Sequence, residues 1–176
     1  MKKLIALVLI MILVVSFAAC GETITLTDSL SDIYTSAVTS SDMTEKDKAR
    51  YALADMFSVE FNADTENLGN YLGNNSYKYS FEFKEGFCVM PQIGGAFQVV
   101  LIRLNSTKNA DEIENELKTN FDKNKWICMS AETVETARIG DVIFLVAGST
   151  EIAQKLVAGF NTAYNNNPLT GPTDAD

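Results

Sequence analysis

Apolar residues recur along this chain at different spacings, and each spacing predicts a different element. Leu30, Ile33, Tyr34, Ala37 and Val38 fall at i, i+3, i+4, i+7 and i+8, one face of a short helix. Ala49, Ala52, Leu53, Met56 and Phe57 repeat that stripe behind Thr44, a residue suited to cap a second helix. Residues 62–76 are rich in Asn and Gly and read as a loop. The period then drops to two. Tyr77, Tyr79, Phe81 and Phe83 alternate with Lys78, Ser80, Glu82 and Lys84, as in a strand with one wet face. Residues 87–90 form a second short apolar piece, ended by Pro91 and Gly94-Gly95, and residues 97–104 are nearly continuous apolar sequence, a central strand. Asn109 with Glu112 has capping-box spacing ahead of a helix that carries Ile113, Leu117 and Phe121. Residues 133–138 and 142–147 read as strands joined by a Gly140-Asp141 turn. Ser149 then opens a helix with Ile152, Leu156, Phe160 and Tyr164 on one face.

These elements predict an α+β fold. The expected sheet is antiparallel or mixed with helices packed on one face, a strand-strand-helix plan repeated in outline, and short helices in front.

The first twenty residues have a different character. Met1-Lys2-Lys3 is followed by an apolar run over 4–15 and then by Ser16-Phe17-Ala18-Ala19-Cys20. The run is short for a membrane span and has the anatomy of a signal peptide. Small residues immediately before a cysteine resemble a bacterial lipoprotein signal, in which that thiol receives a lipid before cleavage; Phe17 stands where the pattern prefers Leu. The expected organisation is a signal peptide over 1–19, a lipidated anchor, polar stalk and short helix over 20–43, a globular domain over 44–164 and a flexible tail over 165–176. Lipidation is assigned to Cys20. The expected location is the extracytoplasmic face of the cell membrane, and Gly21 rather than an acidic residue stands directly after Cys20.

Composition narrows the chemistry. The chain has 176 residues and a net charge of −9, and without Lys2 and Lys3 it carries 12 basic against 23 acidic residues. Such a surface repels phosphate backbones, so no nucleic-acid partner is expected. Histidine is absent, which excludes Ser-His-Asp and Cys-His hydrolases and histidine-ligated zinc. Cys88 and Cys128 remain after anchoring; export would permit a disulfide between them, while their apolar neighbours suit two buried thiols equally well. Asp111, Glu112, Glu114 and Glu116 read as a solvated helix face near a helix N-terminus, not a calcium loop. Gly94-Gly95 lacks the residues of a phosphate loop and reads as a turn. Trp126 reads as a core anchor, and Tyr71, Tyr77 and Tyr79 as candidate stacking surfaces for glycans. No catalytic residue, metal site or cofactor is assigned.

Val99-Val100-Leu101-Ile102-Arg103-Leu104 with its acidic helix, Trp126 behind that helix, and Gly140-Asp141-Val142-Ile143-Phe144-Leu145-Val146 carry a resemblance over residues 29–164. In outline the chain resembles a family of uncharacterised lipoproteins of Gram-positive bacteria, a domain of unknown function. The resemblance implies a location and an architecture, and no catalytic residues. The expected function is a non-catalytic module binding an envelope protein or a small ligand. The alternatives are a solute-binding lipoprotein and a carboxylate-dependent glycan-processing enzyme.

Overall fold

The computed structural model describes residues 25–165; the expected signal peptide, Cys20 and the tail beyond Asn165 lie outside the described residues. Helix α1 (Leu30–Ser40) starts where the Ser29 hydroxyl accepts the Asp32 amide at 3.1 Å, and it buries the five predicted residues of its stripe. Helix α2 (Glu45–Arg50) is capped in the same way by Thr44 but ends early. Its predicted continuation through Met56 and Phe57 is overturned. A 3-10 turn at Leu53–Asp55 leads instead into β1 (Met56–Phe61), whose aromatic and β-branched residues suit a half-buried pleat.

The loop expected over 62–76 holds the short helix α3 (Leu68–Leu72). Residues 77–82 alternate as expected yet join no ladder. Their polar groups are bound elsewhere: the Ser80 amide donates to the Glu116 carboxylate at 3.0 Å, and the Tyr79 hydroxyl to the Leu72 carbonyl at 3.0 Å. Pairing begins with β2 (Phe83–Pro91) and continues in β3 (Gln98–Leu104). After α4 (Ala110–Asn120), β4 (Thr133–Ile139) and β5 (Val142–Gly148) form the predicted hairpin, and α5 (Thr150–Asn165) closes the described fold. Gly140 has φ +59° in the two-residue turn, a conformation that costs other residues strain. The Asn109–Glu112 capping box is not formed. Asn109 sits at φ −117°, ψ 25°, away from the extended cap geometry, and makes no side-chain capping bond.

The strands form one antiparallel sheet in the order β1-β2-β3-β5-β4. The α+β class is therefore as predicted, and the strand-strand-helix outline recurs as β2-β3-α4 and β4-β5-α5. Helices on one face only is not what the chain does. Val99, Leu101, Phe144 and Val146 point into a core under α1 and α5, while Val100, Ile102, Ile143 and Leu145 point into a second core. That second core is closed by Leu72 of α3, Leu117 of α4, Phe121 and the half-buried Trp126. Every residue of β3 and β5 is buried as a result.

The segment assigned to stalk and helix is also divided. Leu26 and the buried face of α1 belong to the first core, so the packed region begins at Leu26 and not at residue 44. The two helices of that layer touch closely: a Cβ on Gly159 of α5 would lie 2.1 Å from the Ala37 carbonyl oxygen of α1.

Candidate functional site

The strand register defines two ends of the molecule. At one end, Arg103 closes β3 beside the β4–β5 turn and holds the incoming segment. Its guanidinium donates to the carbonyls of Leu26 and, at 2.6 Å, Asp28; it also pairs with Glu85 at 2.6 Å and Asp141 at 3.6 Å. Asp141 accepts the Leu26 amide at 3.1 Å, and the Tyr164 hydroxyl donates to Asp28 at 3.1 Å.

The opposite end carries the β2–β3 hairpin, the start of β4 and the first turn of α5, since Gln98 pairs with Ala147 and Thr133 with Gly148. An open groove of about 660 Å³ lies there, lined among others by Arg50, Tyr51, Asp55, Ile93, Phe97 and Ile152. Tyr51 and Phe97 meet at 4.8 Å on its wall. Ile93 at the hairpin tip is 91% exposed, and Ile127 in the 121–132 loop is 89% exposed. Single exposed apolar residues are ordinary; here they stand on loops at one end of the sheet.

Beneath that end lies a polar cluster that sequence reasoning missed. Gln98, fully buried, donates from Nε2 to the Tyr71 carbonyl at 2.6 Å and to the Cys88 thiol at 3.2 Å. Lys125 donates to Gln98 Oε1 at 2.8 Å and to the Asn70 carbonyl at 2.7 Å, with its ammonium 5.8 Å from the centres of the Phe121 and Trp126 rings. The cluster ties α3 and the 121–132 loop to β3, and its polar groups meet one another. Burial holds the Lys125 ammonium below its usual range and pushes the Cys88 thiol up to about 12. The one readable signal was Gln98 itself, a polar residue opening a strand of apolar ones.

The remaining candidates are dispersed. Cys88 is buried, Cys128 is exposed, and both are free thiols, so the disulfide left open by the sequence is not formed here. The acidic helix is more engaged than a solvated face: Arg138 pairs with Asp111 at 2.5 Å and with Glu114 at 3.7 Å, and Glu116 holds Ser80. Tyr71 stacks on Phe61 at 5.5 Å and Tyr79 packs on Phe81 at 5.7 Å, which leaves Tyr77 the exposed member of that trio. Among the described residues, no group of three or more Cys, Asp or Glu side chains is disposed to hold a metal ion, and no helix is long and apolar enough to cross a membrane.

The thiols offer a direct check. A maleimide probe at pH 9 should label Cys128 in the folded protein and Cys88 only after denaturation. The Cys88 shift also sets a pH dependence. Its ordinary value is near 9, so between pH 9 and about 12 the unfolded chain has lost a proton that the folded chain keeps. Stability from the neutral thiol is then complete below pH 9 and declines toward pH 12. Lys125 acts oppositely, since the folded chain gives up that proton first and stability rises with pH up to 10.5. Comparing wild type with Cys88→Ala isolates the thiol. Parallel stability curves for the two above pH 9 would remove its assignment as a buried neutral group. No family model, no curated protein and no solved structure matches this chain.

Proposed function

We propose that the protein is a lipoprotein anchored through Cys20 on the extracytoplasmic face of a cell membrane, and that it serves as a non-catalytic interaction module. The observation that carries this reading is the separation of its two ends. The chain enters beside Arg103, while the groove and Ile93 lie at the other end of strands about 20 Å long. Cys20 precedes Leu26 by six residues, a reach of about 20 Å at most, so a lipid there would hold the domain near the membrane. The groove end would then face outward, toward other envelope components.

One observation favours the carboxylate-enzyme alternative: Asp47 and Asp55 line the same groove. Such chemistry needs two acids facing each other across a bound substrate. Asp47 already accepts the Thr44 hydroxyl at 2.7 Å at the start of α2, an arrangement suited to capping.

Two measurements test the proposal. Cys20→Ser should abolish fatty-acid labelling and release the protein or leave it unprocessed; a variant still processed and lipid-labelled would defeat the anchoring. A photo-crosslinking residue in place of Ile93 should give discrete protein adducts in intact cells, and the same residue in place of Glu112 should not. Adducts of equal kind and yield at both positions would argue against the groove end as the contact surface.

A further inference from the structure

Three side chains able to react with one another meet in the buried cluster under the groove end. In the β2–β3 register Cys88 pairs with Val100, and Gln98 stands two residues before Val100, so both side chains face the same core. Gln98 and Cys88 are fully buried, and Lys125 is half-buried on the 121–132 loop. The Gln98 carboxamide lies between the other two groups. Its Oε1 accepts from the Lys125 ammonium at 2.8 Å, and its Nε2 donates to Cys88 Sγ at 3.2 Å. The other acceptor of Lys125 is the backbone carbonyl of Asn70, so the carboxamide in contact with the amine is that of Gln98. An amine at the oxygen side of a carboxamide, with a thiol at its nitrogen, is placed to replace that nitrogen.

We propose that Lys125 and Gln98 join in an isopeptide bond after folding, a single self-modification in which Cys88 carries the proton. Lys125 first sheds one proton to solvent, and its neutral amine attacks Gln98 Cδ, the carbon bonded to the oxygen it already touches. A new C–N bond forms, the Cδ–Nε2 bond breaks, and Nε2 leaves as ammonia. The Cys88 thiol gives its proton to the departing Nε2 and takes one back from the Lys125 nitrogen, so it ends unchanged. No oxidant is consumed. One amide replaces another, and escape of ammonia draws the exchange forward. The proposal is independent of the anchoring and of the contact surface at the groove end.

The surroundings suit both roles. Burial holds the Lys125 ammonium below its usual range, which raises the share of neutral amine. Burial also pushes the Cys88 thiol up to about 12, so it holds a proton to give. Carboxamides react slowly with amines in water, but two groups fixed in contact can gain effective molarities of about 10⁵ M or more. A cluster serving stability alone would be satisfied by arginine as well as by lysine, because either cation can donate to Gln98 and Asn70. The bond ties β3 covalently to the 121–132 loop, which carries the exposed Ile127. The alkaline gain in stability assigned to Lys125 belongs to the chain before this bond forms, whereas Cys88 titrates before and after.

The test uses the full chain taken from cells, denatured and digested with trypsin. Trypsin does not cut after an acylated lysine, so residues 124–138 should appear uncut at Lys125 and joined to residues 85–103. The joined species should weigh one ammonia less than the two peptides together. It should survive hydroxylamine, and its Cys88 should react with iodoacetamide. Lys125→Arg keeps the cation and its donors but should give the two regions only as separate peptides. In pulse-labelled cells, Cys88→Ala should slow the appearance of the joined species by about a hundredfold or more. Wild-type peptides that are separate and cut normally at Lys125 overturn the proposal. So does an unjoined 85–103 peptide, one ammonia lighter, whose Cys88 resists alkylation until hydroxylamine is added, the mark of a Cys88–Gln98 thioester. A Cys88→Ala chain that joins as fast as wild type overturns the role given to the thiol.

Discussion

Replacing Phe144 with alanine is expected to lower stability by about 3–5 kcal/mol, a loss made of transfer energy and an unfilled cavity. Phe144 is fully buried at the middle of β5, opposite Leu101 of β3, and its ring stacks on Phe160 of α5 at 4.9 Å with an interplanar angle of 9°. The pair joins the sheet to the helix layer. Phe160 also touches Tyr164 at 5.6 Å, so its own truncation loosens the last turns of α5. A domain of this size has about 5–15 kcal/mol of net stability, and the change removes a large part of it. Urea melts of residues 25–165 joined to their natural flanks should show a lower midpoint at unchanged slope. Because the rings touch, Phe144→Ala with Phe160→Ala should cost less than the two single losses together. Glu112→Gln on the exposed face of α4 should shift stability by about 0.5 kcal/mol or less. Midpoints near wild type for both Phe variants would contradict a core centred on this stack.

What the sequence disclosed follows from how local each signal is. α1, α5, β3 and the β4–β5 hairpin were legible because their periodicity or turn chemistry is complete within a dozen residues. β1 was not, because Met56 and Phe57 extend the apolar spacing of α2 by coincidence. Only pairing with β2 makes a strand of Met56–Phe61. The segment 77–82 misled in the other direction. Its alternation is real and the rings of Tyr79 and Phe81 do line one core, but Glu116, distant in sequence, takes the Ser80 amide that a ladder would have used. The second helix layer was readable in principle. Adjacent apolar residues such as Val99-Val100 and Leu101-Ile102 point to opposite faces of a strand, so an unbroken apolar run already requires cover on both. The groove was not legible at all. It joins α2, the β2–β3 tip and the start of α5, which meet only in the fold. The lone charge in Val-Val-Leu-Ile-Arg-Leu was the clearest overlooked signal, since a buried arginine needs partners that the strand itself lacks.

Arg103→Met is expected to cost about 3–5 kcal/mol, because removing one partner leaves another charge buried without compensation. Arg103 and Asp141 are both buried, and four acceptors converge on the guanidinium: the carboxylates of Glu85 and Asp141 and the carbonyls of Leu26 and Asp28. Methionine matches the length of the stem and fills the space, so the loss isolates charge and hydrogen bonding from packing. The half-exposed Glu85 can turn to water, whereas Asp141 cannot. Adding Asp141→Asn should therefore recover part of the loss. The amide oxygen of asparagine still accepts the Leu26 N–H, and the orphaned charge is gone. Arg103→Lys should recover little, since one ammonium cannot span acceptors arranged for a planar fork. The same variants report on the incoming chain. Hydrogen exchange at the Leu26 amide should accelerate sharply in Arg103→Met, while amides at the centres of β3 and β5 accelerate only as far as global stability falls. If Leu26 exchanges no faster than those central amides, Arg103 does not hold the N-terminal segment, and the buried pair serves only the sheet end.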